Sequence, residues 1–117
     1  MAKQKVKYVF LYVTASGRKE AQDIAKRLLT KRLVACANYF PITSMYQWKG
    51  KITSQKEFVM ILKTTEQKAL LVKEEIEGIH SYKVPCIIKI PVLPNVSYAQ
   101  WLSSQLQGSS RALRCKS

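Results

Sequence analysis

The segment from Tyr39 to Thr65, YFPITSMYQWKGKITSQKEFVMILKTT, constrains this chain more than any other stretch. It is an apolar and aromatic ribbon with one strong turn signal, Lys49-Gly50, where glycine supplies the positive φ that a tight reversal needs. Tyr46 and Trp48 alternate with Met45, Gln47 and Lys49, so an extended strand puts both rings on one face. Such a face needs a cover. In a chain of 117 residues the simplest cover for so long a hairpin is a second copy of the chain itself.

Length and composition narrow the class around that ribbon. A chain of this size predicts one domain with a core that needs no metal or disulfide staples. We place that domain at residues 1–108 and read 109–117 as a basic, frayed tail. Apolar residues make up 47%, with four Gly and four Pro, which is the profile of a globular chain. No apolar run reaches the roughly 18 residues of a membrane span. Three lysines ahead of Val6–Val13 loosely imitate a signal peptide, but tyrosines interrupt the run and a first strand is the simpler reading. The expectation is a cytoplasmic protein with no membrane partner.

Cys36, Cys86 and Cys115 are an odd, widely spaced set without a CxxC pair, which argues against a disulfide framework or a zinc site within one chain. Cys36, in LVACANY, reads as a small buried hydrophobe. Twenty Lys and Arg against seven Asp and Glu give a formal charge of +13, which attracts polyanions whatever the fold. The lysines are scattered, however, and are not interleaved with an RNP signature, a zinc finger or a helix-turn-helix. Nucleic acid is therefore not the expected partner.

In chain order, Lys5–Thr14 is apolar at nearly every position, the mark of a strand covered on both faces. Arg18–Lys31 places Ala21, Ile24, Ala25, Leu28 and Leu29 on one helical stripe. Leu33–Phe40 is a second strand that Pro41 ends or bends, and the chain resumes through Ile42–Trp48 and returns along Lys51–Thr65. Thr53–Glu57 is polar enough for a bulge, a bend or the exposed part of one long strand. Thr65 is a candidate cap for a helix over Glu66–Gly78, with Ala69, Val72, Ile76 and Ile79 inward and Gly78 as the stop. After HSYKVPC, Ile87–Val92 forms a strand, and Ser97 caps a short helix whose inner face is Tyr98, Trp101, Leu102, Gln105 and Leu106. The order is βαββαβ, an α+β ferredoxin-like sandwich with a long β2-β3 hairpin and an extra C-terminal helix. Two helices on one face leave the other face apolar and bare, which predicts oligomerisation through sheet faces and hairpin arms.

The blocks ITSMYQWKGKI, EFVMILKTT, HSYKVPCIIKIPV and SYAQWL, in this order and spacing, resemble the CutA family of divalent-cation tolerance proteins. The resemblance runs from the first strand to about Leu106. It implies a PII-like homotrimer with strand pairing between subunits, associated with tolerance of copper and other divalent metals. The family's recurrent positions fall here on Thr43, Ser44, Tyr46, Trp48, Gly50, Lys51, Glu57, Lys63, Thr64, His80, Tyr82 and Pro85. Cys86 stands where relatives often carry Glu, and Val13 where some carry Cys, so a softer ligand replaces a carboxylate and a thiol is missing.

These residues give the candidate sites. His80, Cys86 and Glu57 offer imidazole, thiolate and carboxylate, a set suited to copper or zinc if completed across a subunit boundary. Tyr46, Trp48, Lys63, Tyr82 and Pro85 are assigned to an inter-subunit cleft or interface. Against them stand plainer roles: His80 as a hydrogen-bonded structural residue, Tyr46 and Trp48 as interface packing, Glu57 and Lys63 as an interfacial ion pair. No nucleophile with an adjacent base and no phosphate-cradling loop is recognisable, so an enzyme is not expected. The sequence thus predicts a non-enzymatic homotrimer in divalent-metal response with weak copper binding, the alternative being a PII-like module that binds a small ligand or protein partner between subunits.

Overall fold

The computed structural model describes residues 6–107, in the order β1 (Tyr8–Ala15), α1 (Arg18–Thr30), β2 (Cys36–Trp48), β3 (Lys51–Thr65), α2 (Glu66–Ile79), β4 (Ile87–Val92) and α3 (Val96–Gln107). The expected tail, Cys115 and the start of the first strand at Lys5 lie outside the described residues. The four strands form one antiparallel sheet in the order β2-β3-β1-β4. This is the ferredoxin-like arrangement, with β1 and β3 central.

Cα-paired residues of neighbouring strands point to the same face, so the register sorts every side chain. On one face Leu11, Val13 and Ala15 of β1 and Met60 and Leu62 of β3 meet Ile24 and Leu28 of α1 and Val72 and Ile76 of α2 in a single core. The opposite face carries Tyr8, Phe10 and Tyr12, paired with Thr65, Lys63 and Ile61 on one side and Val92, Ile90 and Ile88 on the other. This second face is not wholly bare, as two helices alone would leave it. At one end α3 lies across it, burying Leu102 and Leu106 with Ala35, Tyr8 and Tyr98. Its centre stays open, with Phe40, Ile88 and Ile90 exposed.

The hairpin is one uninterrupted ladder. Pro41 neither ends nor bends β2 out of register, because it pairs with Phe58 and the pairing continues to Trp48 opposite Lys51. The edge position of β2 explains the tolerance, since half the N–H groups of an edge strand face away from the ladder. Thr53–Glu57 is likewise regular strand, so of the three readings the exposed stretch of one long strand holds. At the tip both Lys49 (φ 51°) and Gly50 (φ 80°) are left-handed, the type I′ geometry whose twist matches the flanking strands.

Smaller expectations shift. Leu29 and Ile79 are exposed rather than inward, Cys36 is half-buried rather than buried, and Ser97 lies inside α3 rather than capping it. Thr65 holds the N-cap position of α2 without a side-chain bond, while the Glu66 N–H donates to the Lys7 carbonyl. Gly78 is still helical, and the helix stops at His80.

Candidate functional site

The residues singled out above converge where the loop from His80 to Cys86 crosses the end of β1 and the middle of the hairpin. That loop has little regular structure, so side chains pin it. His80 is the main pin: its side chain is 0% exposed, Nε2 lies 2.7 Å from the Thr14 carbonyl oxygen, and Nδ1 accepts the Tyr82 N–H at 3.0 Å. A carbonyl can only accept and an amide N–H can only donate, so the neutral Nε2–H ring satisfies both bonds. Neither ring nitrogen is left for a metal.

Glu20 is the second pin, which sequence reasoning missed. One carboxylate oxygen accepts from the Ser16 N–H and hydroxyl, and the other accepts from the Ser81 N–H at 2.7 Å. Burial works to raise the Glu20 pKa, but these hydrogen bonds to the charged form outweigh it and hold the group at about 2. The signal was present in an acidic residue in the first turn of α1, where a side chain reaches back to orphan N–H groups.

Tyr82 links the loop to the arm. Its hydroxyl donates to Glu57 Oε1 at 2.8 Å, and the Ser44 hydroxyl donates to Oε2 at 2.5 Å. Burial and then the neighbouring Glu57 carboxylate push the Tyr82 pKa well above its ordinary value, so the phenol stays a donor. Gln55 extends the chain, donating to Tyr82 at 3.4 Å and accepting from the Tyr46 hydroxyl at 2.7 Å. Ser44, Tyr46, Gln55 and Glu57 share one face of the hairpin because they alternate along paired strands. Ser44 was flagged in the sequence; Gln55 was not.

At the other end of β3, Lys63 lies over the Phe10 ring at 5.6 Å and the Tyr98 ring at 5.3 Å, and donates to the Tyr98 hydroxyl at 3.3 Å. Trp48 sits at the hairpin tip, about 40 Å from Lys63 by strand rise, so one chain cannot bring the two into one cleft. A groove of about 390 Å³ beside the arm root is lined by Ser16, Gly17, Pro41, Thr43, Lys56 and Phe58, and Glu57 is the only expected site residue that reaches it.

Within one chain His80, Cys86 and Glu57 do not form a three-ligand group. Among the described residues no group of three His, Cys, Asp or Glu side chains could hold a metal ion. His80 is consumed by backbone bonds and both Glu57 oxygens by hydroxyls, which leaves only the half-buried thiol of Cys86. The described residues of one chain therefore do not fit a metal centre.

Comparison with known proteins places this geometry in context. The family model described as CutA1 divalent ion tolerance protein matches residues 9–105. A protein of Archaeoglobus fulgidus named divalent-cation tolerance protein CutA is 43% identical over 99 residues, 84% of this chain and 97% of its own length. Human Protein CutA is 36% identical over 104 residues, 87% of this chain and 58% of the human protein. Among solved structures, the divalent ion tolerance protein CutA1 of Ehrlichia chaffeensis matches with a TM-score of 0.85 at 34% identity, covering 90% of this chain and all 100% of that one. The periplasmic divalent cation tolerance protein CutA of Archaeoglobus fulgidus gives a TM-score of 0.81 at 42% identity, covering 86% and 99%.

Proposed function

The chain belongs to the CutA1 family of divalent ion tolerance proteins, and from that premise we propose that it is a non-enzymatic protein of divalent-cation tolerance that works as a homotrimer. One observation carries the assembly: a fully paired hairpin arm leaves Met45 (69%), Trp48 (61%) and Ile52 (72%) exposed, beside a sheet face whose apolar centre is open. Burying this surface against other copies relieves the cost of holding large apolar side chains in water. A closed ring of copies also covers the strand edges that β2 and β4 leave free.

The polar residues support a structural role for the loop. His80, Glu20, Tyr82 and Glu57 spend their bonding capacity on holding the loop in place, an arrangement that favours a structural role for these side chains. Copper or zinc, if bound, would use Cys86 together with donors from another copy, since the described residues of its own chain form no group of three ligands. The reading includes a cytoplasmic location, in keeping with unpaired Cys36 and Cys86 and with the fact that no described helix is long and apolar enough to cross a membrane.

Native mass spectrometry at micromolar concentration, with and without Cu and Zn, tests the assembly and the ion together. Three copies are expected. A stable monomer sinks the proposal, and retention of one metal per chain by isolated monomers contradicts the account of the ligands.

A further inference from the structure

The open face of the sheet holds two opposite charges that no partner among the described residues neutralises. Glu57 is 9% exposed and accepts two hydroxyls, but among the described residues it has no cation within ion-pair distance. Lys63, half-buried between Phe10 and Tyr98, has no acid within that distance, and residues 1–5 and 108–117 contain no acidic side chain. Both point from β3 to the face opposite α1 and α2, as their register partners Ile42 and Cys36 do. They stand about 20 Å apart along the strand, beyond the reach of the two side chains. Covering this face with a second copy strips water from both charges, and an unpaired charge in such a place is strongly destabilising.

We propose that Glu57 of one copy pairs with Lys63 of the next across the subunit boundary, so that this pair closes the ring and sets its register. The inference rests on the trimer reading and deepens it. Elimination favours the pairing from both sides. Of the other acids, Asp23 is bound to Lys19, Glu66 to Lys89, Glu75 to Arg27 and Lys31, and Glu20 to Ser16 and Ser81. Glu74 and Glu77 lie exposed on α2, in the layer behind the sheet. Among strand residues of the open face the other lysine is Lys51, exposed at the hairpin tip, where water already satisfies its charge. In a ring of copies each subunit offers Glu57 to one neighbour and Lys63 to the other, so both charges of every copy are paired. Both groups are held in place beforehand, Glu57 by Ser44 and Tyr82 and Lys63 by Tyr98, which reduces the entropy lost when they meet.

The test is a double-mutant cycle on subunit dissociation, read by native mass spectrometry across a dilution series. Glu57→Gln keeps one oxygen to accept one of the two hydroxyls, and Lys63→Met keeps an apolar stem on the two rings. Each single variant is expected to dissociate at concentrations at least about tenfold higher than the parent, and the double variant no more readily than the worse single one. The reversed pair, Glu57→Lys with Lys63→Glu, should regain part of what each reversal loses. Lys51→Met combined with Glu57→Gln should behave additively. Additive losses for Glu57 and Lys63 in a parent that is a trimer overturn the pairing alone; a parent that is monomeric overturns the trimer reading with it.

Discussion

The two halves of the β2–β3 hairpin share one ladder and similar residues, yet live in different environments. From Phe58 to Thr65 the strand packs under two helices, and Met60, Leu62 and Thr64 are fully buried. From Ile42 to Lys56 the same two strands carry side chains of comparable size, yet Met45, Tyr46, Trp48 and Ile52 face water. Backbone pairing is complete in both. Pairing therefore does not report burial, and the arm is a regular two-stranded element that the described residues of its own chain leave uncovered.

The contrast can be broken at the root first. Leu62→Ala removes a side chain that is 0% exposed and should cost about 3 kcal/mol in urea unfolding at fixed protein concentration. A loss below about 1 kcal/mol would mean that the root is no better packed than the arm.

Trp48→Glu, at the tip, should leave the far-ultraviolet circular dichroism of the chain unchanged and weaken assembly by about 2 kcal/mol, as truncating an aromatic anchor does. An unchanged trimer would move the arm's aromatics from interface to ligand cleft. Gly50→Ala, also at the tip, forces a Cβ into a φ of +80° and should cost about 1 kcal/mol by thermal unfolding, although open space surrounds the site. If the melting point is unaltered, the turn tolerates another geometry and the arm is less rigid than its ladder suggests.

The smallest expected effect concerns the loop that ties root to arm. Glu20 is depressed from 4.5 to about 2 in the folded chain, so its contribution is present above about 4.5 and fades as pH falls towards 2. Glu20→Gln should flatten that part of the melting-temperature profile by lowering the values near neutrality towards those at about pH 2, where the variant and the parent converge. A variant with the parent's full acid sensitivity would show that other carboxylates hold the loop.

Much of this was legible in the residues because it follows from local periodicity. Alternation and helical spacing located all seven elements, and Lys49-Gly50 located the reversal. The misreadings share a cause in neighbours that sequence does not show. Pro41 looked like a stop until β2 proved to be an edge strand, and Leu29 and Ile79 looked inward until the helices' burial stripes were fixed by the sheet. The candidate site was legible as a set of residue types but not as a geometry. His80, Cys86 and Glu57 read as a ligand set, whereas their partners, the Thr14 carbonyl, the Tyr82 N–H and the Ser44 hydroxyl, are brought in by strand register and loop path.

By itself, then, the sequence determined the order of elements, the family and the presence of an apolar arm too long for its own domain, because each is written in spacing along the chain. Only the tertiary structure decided that His80 is a structural pin, that Glu20 anchors the loop, and that Glu57 and Lys63 share the open face. Those depend on which strands are neighbours and in which register, and contacts between residues far apart in sequence arise only when the sheet closes.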